Sequence, residues 1–159
     1  MPAEWAVEAI RILRVRGETV ATCESLTGGL ICGALTDVPG SSEVVRGGLV
    51  TYATDLKTAL AGVDAGLIRT YGVVSEPVAR AMADGVRRVC GADWGIGVTG
   101  VAGPGPSDGV AAGTVWLAVS GPRGESAWML ECGGGRAEVR AEVVAAALGR
   151  LVDLAGATG

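Results

Sequence analysis

From residue 3 to residue 100 the chain alternates amphipathic helical stretches with short apolar ones. It then changes rhythm: TVWLAVS and SAWMLEC follow each other across the turn GPRG. Parallel strands need a crossover of a dozen or more residues, usually a helix, whereas two strands joined by a tight turn must lie antiparallel. The order therefore predicts a mixed β-sheet with helices on both faces, a three-layer α/β/α sandwich in the α/β class. With 159 residues and 49% hydrophobic content, one domain spanning 1–159 can enclose its own core. Lacking Phe, it must build that core from Val, Leu, Ile and Ala, and its 27 glycines imply many tight turns or close backbone approaches.

Individual elements have local causes. Ala6, Ile10 and Leu13 share a face of a helix over 3–16 that Gly17 stops. ETVATC reads as a strand, TGGLICGALTDV as a helix between Thr27 as a possible N-cap and Pro39, and VVRGGLVTYA as a second strand. Thr54 or Asp55 is placed to cap a short helix carrying Lys57, and Asp64 another ending near Gly72. Ser75-Glu76-Pro77 opens a longer helix to about Val89, with Arg87 and Arg88 in its last turn and Gly91 beyond. DWGIGVTG is a buried-looking strand that runs into VAGPGPSDGVAAG, and GGGR opens the last helix.

Composition excludes several function classes. Net charge is −4 with scattered basic residues, which lacks the footprint of a nucleic-acid binder. Neither a bilayer-length apolar run nor a basic-then-apolar leader is present, so a cytoplasmic location without membrane contact is the expectation. Cys23, Cys32, Cys90 and Cys132 form no CxxC pair, and without His they supply no zinc set, so no metal site is expected and buried free thiols are. Val/Ala-rich helices and the hairpin edge lead us to expect a homo-oligomer, a dimer first.

The chain has no histidine, which removes the usual base near neutral pH. Of its thirteen basic residues twelve are Arg, and Lys57 is the one Lys. Lys alone of the two sheds its proton at tolerable cost when desolvated, so Lys57 is a candidate base; a surface lysine left by chance is the bland alternative. Two glycine-rich loops, CESLTGG and VTGVAGPGPSDG, follow strands where helix N-termini and free amides suit anions. Neither has the GK[ST] of a Walker loop nor a full GxGxxG. Ser25 stands between strand and helix in the posture of a nucleophile, although it or Thr27 could serve only as a helix cap, and Glu24 as a structural carboxylate.

Taken together, TCESLTGG, RGGLVTYATDLK, VVSEPVARAMADG, TGVAGPGPSDG, GTV and GGR resemble, in order, the signature segments of the CinA C-terminal domain family. That family includes nicotinamide-nucleotide amidases. The resemblance implies a serine amidohydrolase without metal or cofactor, with Ser25 as nucleophile, Lys57 as general base and Tyr52 orienting or relaying between them. An Arg at 57 would keep its charge and could not take the proton. The implied reaction converts nicotinamide mononucleotide to nicotinate mononucleotide and ammonia. Amides from Thr27-Gly28-Gly29 or Thr99-Gly100 would hold the oxyanion, and Arg46, Arg136 or the helix N-terminus at Gly28 and Gly29 the phosphate. Other readings are a ligand-binding or regulatory domain without catalysis, or the same machinery acting on another amide or ester. Two departures bear on substrate contacts: Ala53-Thr54 replaces the family's Ser-Asn, and SDGVAAGTV lacks the lysine and proline of its GxxxKP loop.

Overall fold

A computed structural model describes residues 2–158. The elements run α1 (Pro2–Arg16), β1 (Val20–Glu24), α2 (Leu30–Thr36), a 3-10 turn (Ser41–Glu43), β2 (Val45–Val50), α3 (Thr54–Ala61), α4 (Ala65–Tyr71), α5 (Glu76–Cys90), β3 (Trp94–Gly100), β4 (Thr114–Gly121), β5 (Gly124–Glu131) and α6 (Arg136–Ala155). The five strands form one sheet in the order β2-β1-β3-β4-β5. β1 pairs in parallel with β2 and β3, while β4 lies antiparallel to both β3 and β5. This is the expected mixed sheet.

Strand alternation assigns the faces. Val20, Trp94, Ile96, Val98, Val115, Leu117 and Val119 join the large core shared with α1, α2 and α6. On the other face the strands offer small residues, Ala21, Gly95, Gly97 and Ala118, to the α3–α4–α5 side. A Cβ at Gly97 would strike the backbone of Ala79 and Ala83, and one at Gly95 the carbonyl of Ala83. Thus α5 lies almost directly on β3, a close approach that only glycine permits. Gly85 on α5 makes the same contact with the Ala61 carbonyl at the end of α3. Through it, α5 sets the position of the helix that carries Lys57.

Several boundaries differ from expectation. α2 begins at Leu30 rather than near Thr27, because residues 25–29 form a tight turn with Gly28 and Gly29 at φ 58° and 100°. β2 stops at Val50, and α3 starts at Thr54 behind Ala53, whose side chain offers no cap. Asp64 does cap α4, accepting from the Gly66 amide at 2.7 Å. Gly91, at φ 62°, ends α5 as a left-handed cap. At the end of the sheet remote from Ser25, Glu18 pairs with Arg123 at 2.6 Å beside buried Trp94, whose face Arg123 covers at 5.3 Å. No described helix is long and apolar enough to cross a membrane.

Candidate active site

The parallel strands deliver their carboxyl ends to one edge, so Ser25, Thr51-Tyr52 and Val101 leave the sheet side by side there. β5 and the start of α6 reach the same edge, because Glu131 lies opposite Thr114. In open α/β sheets this edge is where ligand crevices form.

The turn bearing Ser25 is fixed from inside by Glu24. This carboxylate is fully buried and accepts four hydrogen bonds. They come from Thr22 Oγ1 (3.1 Å), Thr27 Oγ1 (2.7 Å), the Ile31 amide (2.9 Å) and the Cys32 amide (2.9 Å). The last two are free amides of the first turn of α2, so the helix N-terminus takes its anion from the chain itself. Gly28 N–H closes the turn on the Ser25 carbonyl at 3.0 Å.

Lys57 is 1% exposed and, after Trp94, the largest fully buried side chain. Its Nζ lies 3.0 Å from Ser25 Oγ and donates to the Thr51 carbonyl at 2.6 Å. Among the described residues no carboxylate pairs with it. Burial without a counter-ion disfavours the ammonium, and desolvation holds the Lys57 pKa below the ordinary 10.5. A neutral Nζ can accept the Ser25 hydroxyl proton while still donating to Thr51. Such a nucleophile-base contact is the geometry that activates a hydroxyl. Cys23 lies behind it with its thiol pushed up to about 11 by burial, and Cys132 is raised to about 12, so both stay thiols near neutral pH.

Over this pair opens a cleft of about 370 Å³. Of the residues singled out from sequence, Ser25, Tyr52, Lys57, Thr99, Gly100 and Arg136 line it. Thr99 is held by a 2.8 Å bond from its hydroxyl to the Val73 carbonyl. Tyr52, however, is not a bridge between Ser25 and Lys57. Its hydroxyl accepts from Arg136 Nη2 at 2.9 Å, and Arg136 Nη1 donates to the Gly103 carbonyl at 2.8 Å.

Four expected site residues lie elsewhere. Thr27 is fully buried and spends its hydroxyl on Glu24; Gly28 and Gly29 shape the turn and do not reach the cleft wall. The helix N-terminus that was to receive a phosphate is occupied by Glu24. Arg46 sits near the start of β2, away from the strand's carboxyl end, and donates from Nε to the Cys90 carbonyl at the end of α5. Thr54 and Asp108, which stand in the two departures from the family's pattern, line the cleft, and Val73 and Val74 line it without having been singled out. So does Leu26. Their positions depend on how loops fold back over the sheet edge, which no local pattern marks.

The CinA C-terminal domain profile matches residues 3–155. A CinA-like protein of Frankia casuarinae is 45% identical over 137 residues, 86% of this chain and 32% of its own length. One from Anaeromyxobacter sp. strain K is 49% identical over 140 residues, 87% of this chain and 34% of its own. The chain thus spans about a third of the curated relatives it matches. Among solved structures, the competence/damage inducible protein CihA from Agrobacterium tumefaciens superposes with TM-score 0.92 at 40% identity, covering 96% of this chain and 94% of that one. A competence or damage-inducible protein from Enterobacter asburiae does so with TM-score 0.94 at 28% identity, covering 98% of each. This three-layer fold, with a serine and a buried lysine meeting at its sheet edge, belongs to the CinA C-terminal domain family.

Proposed function

We propose that this domain is a nicotinamide-nucleotide amidase, hydrolysing the carboxamide of nicotinamide mononucleotide to nicotinate mononucleotide and ammonia. One observation carries the reading: a fully buried lysine without a counter-ion, its Nζ 3.0 Å from a serine hydroxyl that lines a cleft. Neutral Lys57 takes the proton as Ser25 Oγ attacks the carboxamide carbon, forming a C–O bond and a tetrahedral oxyanion. Lys57 then returns that proton to the departing amide nitrogen, the C–N bond breaks, and ammonia leaves an acyl-serine ester. Water, deprotonated by Lys57, cleaves the ester to free the carboxylate product and restore the serine.

The oxyanion would be received by amides of the cleft wall, where the N–H groups of Ala102 and Gly103 serve no backbone carbonyl among the described residues. Among the expected phosphate partners, Arg136 is the cation in the cleft, and its fork suits a phosphate when it releases Tyr52 or Gly103. The substrate itself is assigned from the family resemblance, which the Ser25–Lys57 geometry supports. Ammonia release from nicotinamide mononucleotide tests the reading, run with wild type, Ser25→Ala and Lys57→Arg. Release by wild type alone is expected. Turnover by Lys57→Arg would overturn Lys57 as base, and binding without release by a folded wild type would overturn the amidase.

A further inference from the structure

The turn that carries Ser25 is gripped from outside as well as inside. Arg140, in the second turn of α6, donates from Nε to the Leu26 carbonyl at 2.9 Å and from Nη2 to the Thr27 carbonyl at 3.4 Å. These two carbonyls immediately follow the nucleophile. Arg140 does not line the cleft, so it is not placed to touch a substrate there. The guanidinium packs against the turn at Gly28, where a Cβ would sit in ordinary contact, 3.4 Å from Nη2, and it is the φ of 58° that favours glycine there. One turn earlier on the same helix, Arg136 binds Tyr52 and the Gly103 carbonyl. The start of α6 therefore ties together three of the chain segments that wall the cleft.

We infer that Arg140 is a positioning residue: by holding the Leu26 and Thr27 carbonyls it fixes the Ser25 turn against Lys57. The inference rests on the amidase reading. A trans peptide is a rigid plane, so pinning a carbonyl also fixes the direction of the amide on its far side. With Glu24 anchoring the inner face of the turn and Arg140 the outer, Ser25 is held between an anion and a cation that never touch the substrate. The forked guanidinium matters because one group must reach two successive carbonyls, which a lysine ammonium on a single stem is poorly shaped to do.

The test compares wild type, Arg140→Ala and Arg140→Lys in ammonia release and in the rate at which a fluorophosphonate labels Ser25. A misplacement of the nucleophile by about 1 Å costs on the order of 10²-fold in rate. Arg140→Ala should accordingly lose roughly 10²-fold in kcat while KM changes by less than about 3-fold. Labelling should slow in parallel, and added guanidinium should restore part of both rates. Wild-type kcat in Arg140→Ala, or a rise in KM alone, would overturn the inference. Should the alanine variant not fold, Arg140→Lys decides: a folded protein with reduced kcat supports the two-carbonyl grip, and wild-type kcat overturns it. Failure of the amidase reading looks different, since wild type itself would then release no ammonia, and the label on Ser25 would still compare the variants wherever the serine is activated.

Discussion

Glu24→Gln is nearly isosteric and tests the inner anchor of the site. In the wild type each carboxylate oxygen serves two donors: Oε1 takes Thr27 Oγ1 and the Ile31 amide, and Oε2 takes Thr22 Oγ1 and the Cys32 amide. A glutamine keeps one accepting oxygen and turns an NH₂ toward the other two partners. The Thr22 hydroxyl can rotate and accept from that NH₂, but the Cys32 N–H cannot. Three bonds, those of Thr27, Ile31 and Thr22, fall from charge-assisted to neutral strength, a loss of about 1 kcal/mol each, and one amide loses its acceptor at a cost of about 1–3 kcal/mol. The sum is about 4–6 kcal/mol, and at roughly 2–4 °C per kcal/mol for a chain of this length Tm should fall by about 8–24 °C.

Thermal unfolding followed by circular dichroism at neutral pH, checked by guanidinium titration with an unchanged slope, reads this directly. Glu24→Ala, which deprives all four donors at once, should fall further. A midpoint for Glu24→Gln within about 2 °C of wild type would refute Glu24 as the anchor of the α2 N-terminus, since it would mean the four donors find equal partners elsewhere.

Lys57 carries a signed pH prediction. Between its lowered folded pKa and the ordinary 10.5, the unfolded lysine binds a proton that the folded one refuses, so its contribution to stability rises with pH toward 10.5. Lys57→Met should remove that dependence, so that its Tm advantage over wild type shrinks as pH rises through this window; a difference independent of pH would contradict a neutral buried lysine. The rising limb of kcat/KM against pH should likewise lie below 10.5, and a limb at or above it would exclude Lys57 as base. Gly97→Ala drives a methyl group into the α5 backbone at Ala79 and Ala83 and should cost about 3 kcal/mol by denaturant titration; a neutral result would show that α5 can step away from β3. Arg46→Ala should leave KM for nicotinamide mononucleotide unchanged while Arg136→Ala raises it, and the reverse pattern would relocate the phosphate site.

The fold was legible because its signals are local. The switch from helix-separated strands to a tight hairpin states the sheet's mixed character, and caps such as Asp64, Pro77 and Gly91 mark helix ends by their own chemistry. Ser25 and Lys57 were candidates for a different reason, a single Lys in a chain that uses Arg elsewhere and a hydroxyl at a strand-to-turn junction, and it was the resemblance to the CinA C-terminal domain family that joined them as nucleophile and base. Tyr52 reached the cleft as expected but with Arg136 as its partner, and Arg46 lies away from it, because sequence says nothing about which partner, or which end of the sheet, a long side chain reaches. Arg140 carried no signal of its own, since an arginine on an amphipathic helix ordinarily faces solvent. Only the packing of α6 over the Ser25 turn gives it two carbonyls to hold.

Glu24 also bears on where an anionic substrate can sit. A short helix following a glycine-rich turn at the carboxyl edge of a sheet looks like a ready phosphate site, and residues 24–32 have that appearance in sequence. Two amides of that helix already donate to a buried carboxylate, so a phosphate arriving there would have to displace Glu24 and meet its charge. Repulsion between the two anions makes that end of the cleft the wrong one for a phosphate. Arg136 stands at the cleft wall, its guanidinium held by a phenol oxygen and a carbonyl, both neutral partners that a phosphate can replace with stronger charge-assisted bonds. On the proposed reading, with the phosphate on Arg136 and the carboxamide on Ser25, binding would break the Tyr52–Arg136 bond. Tyr52→Phe should therefore lower KM, because Arg136 is released in advance, and leave kcat nearly unchanged because the hydroxyl is bonded to Arg136 and not to Ser25 or Lys57. A large loss of kcat would instead return Tyr52 to the relay between Ser25 and Lys57.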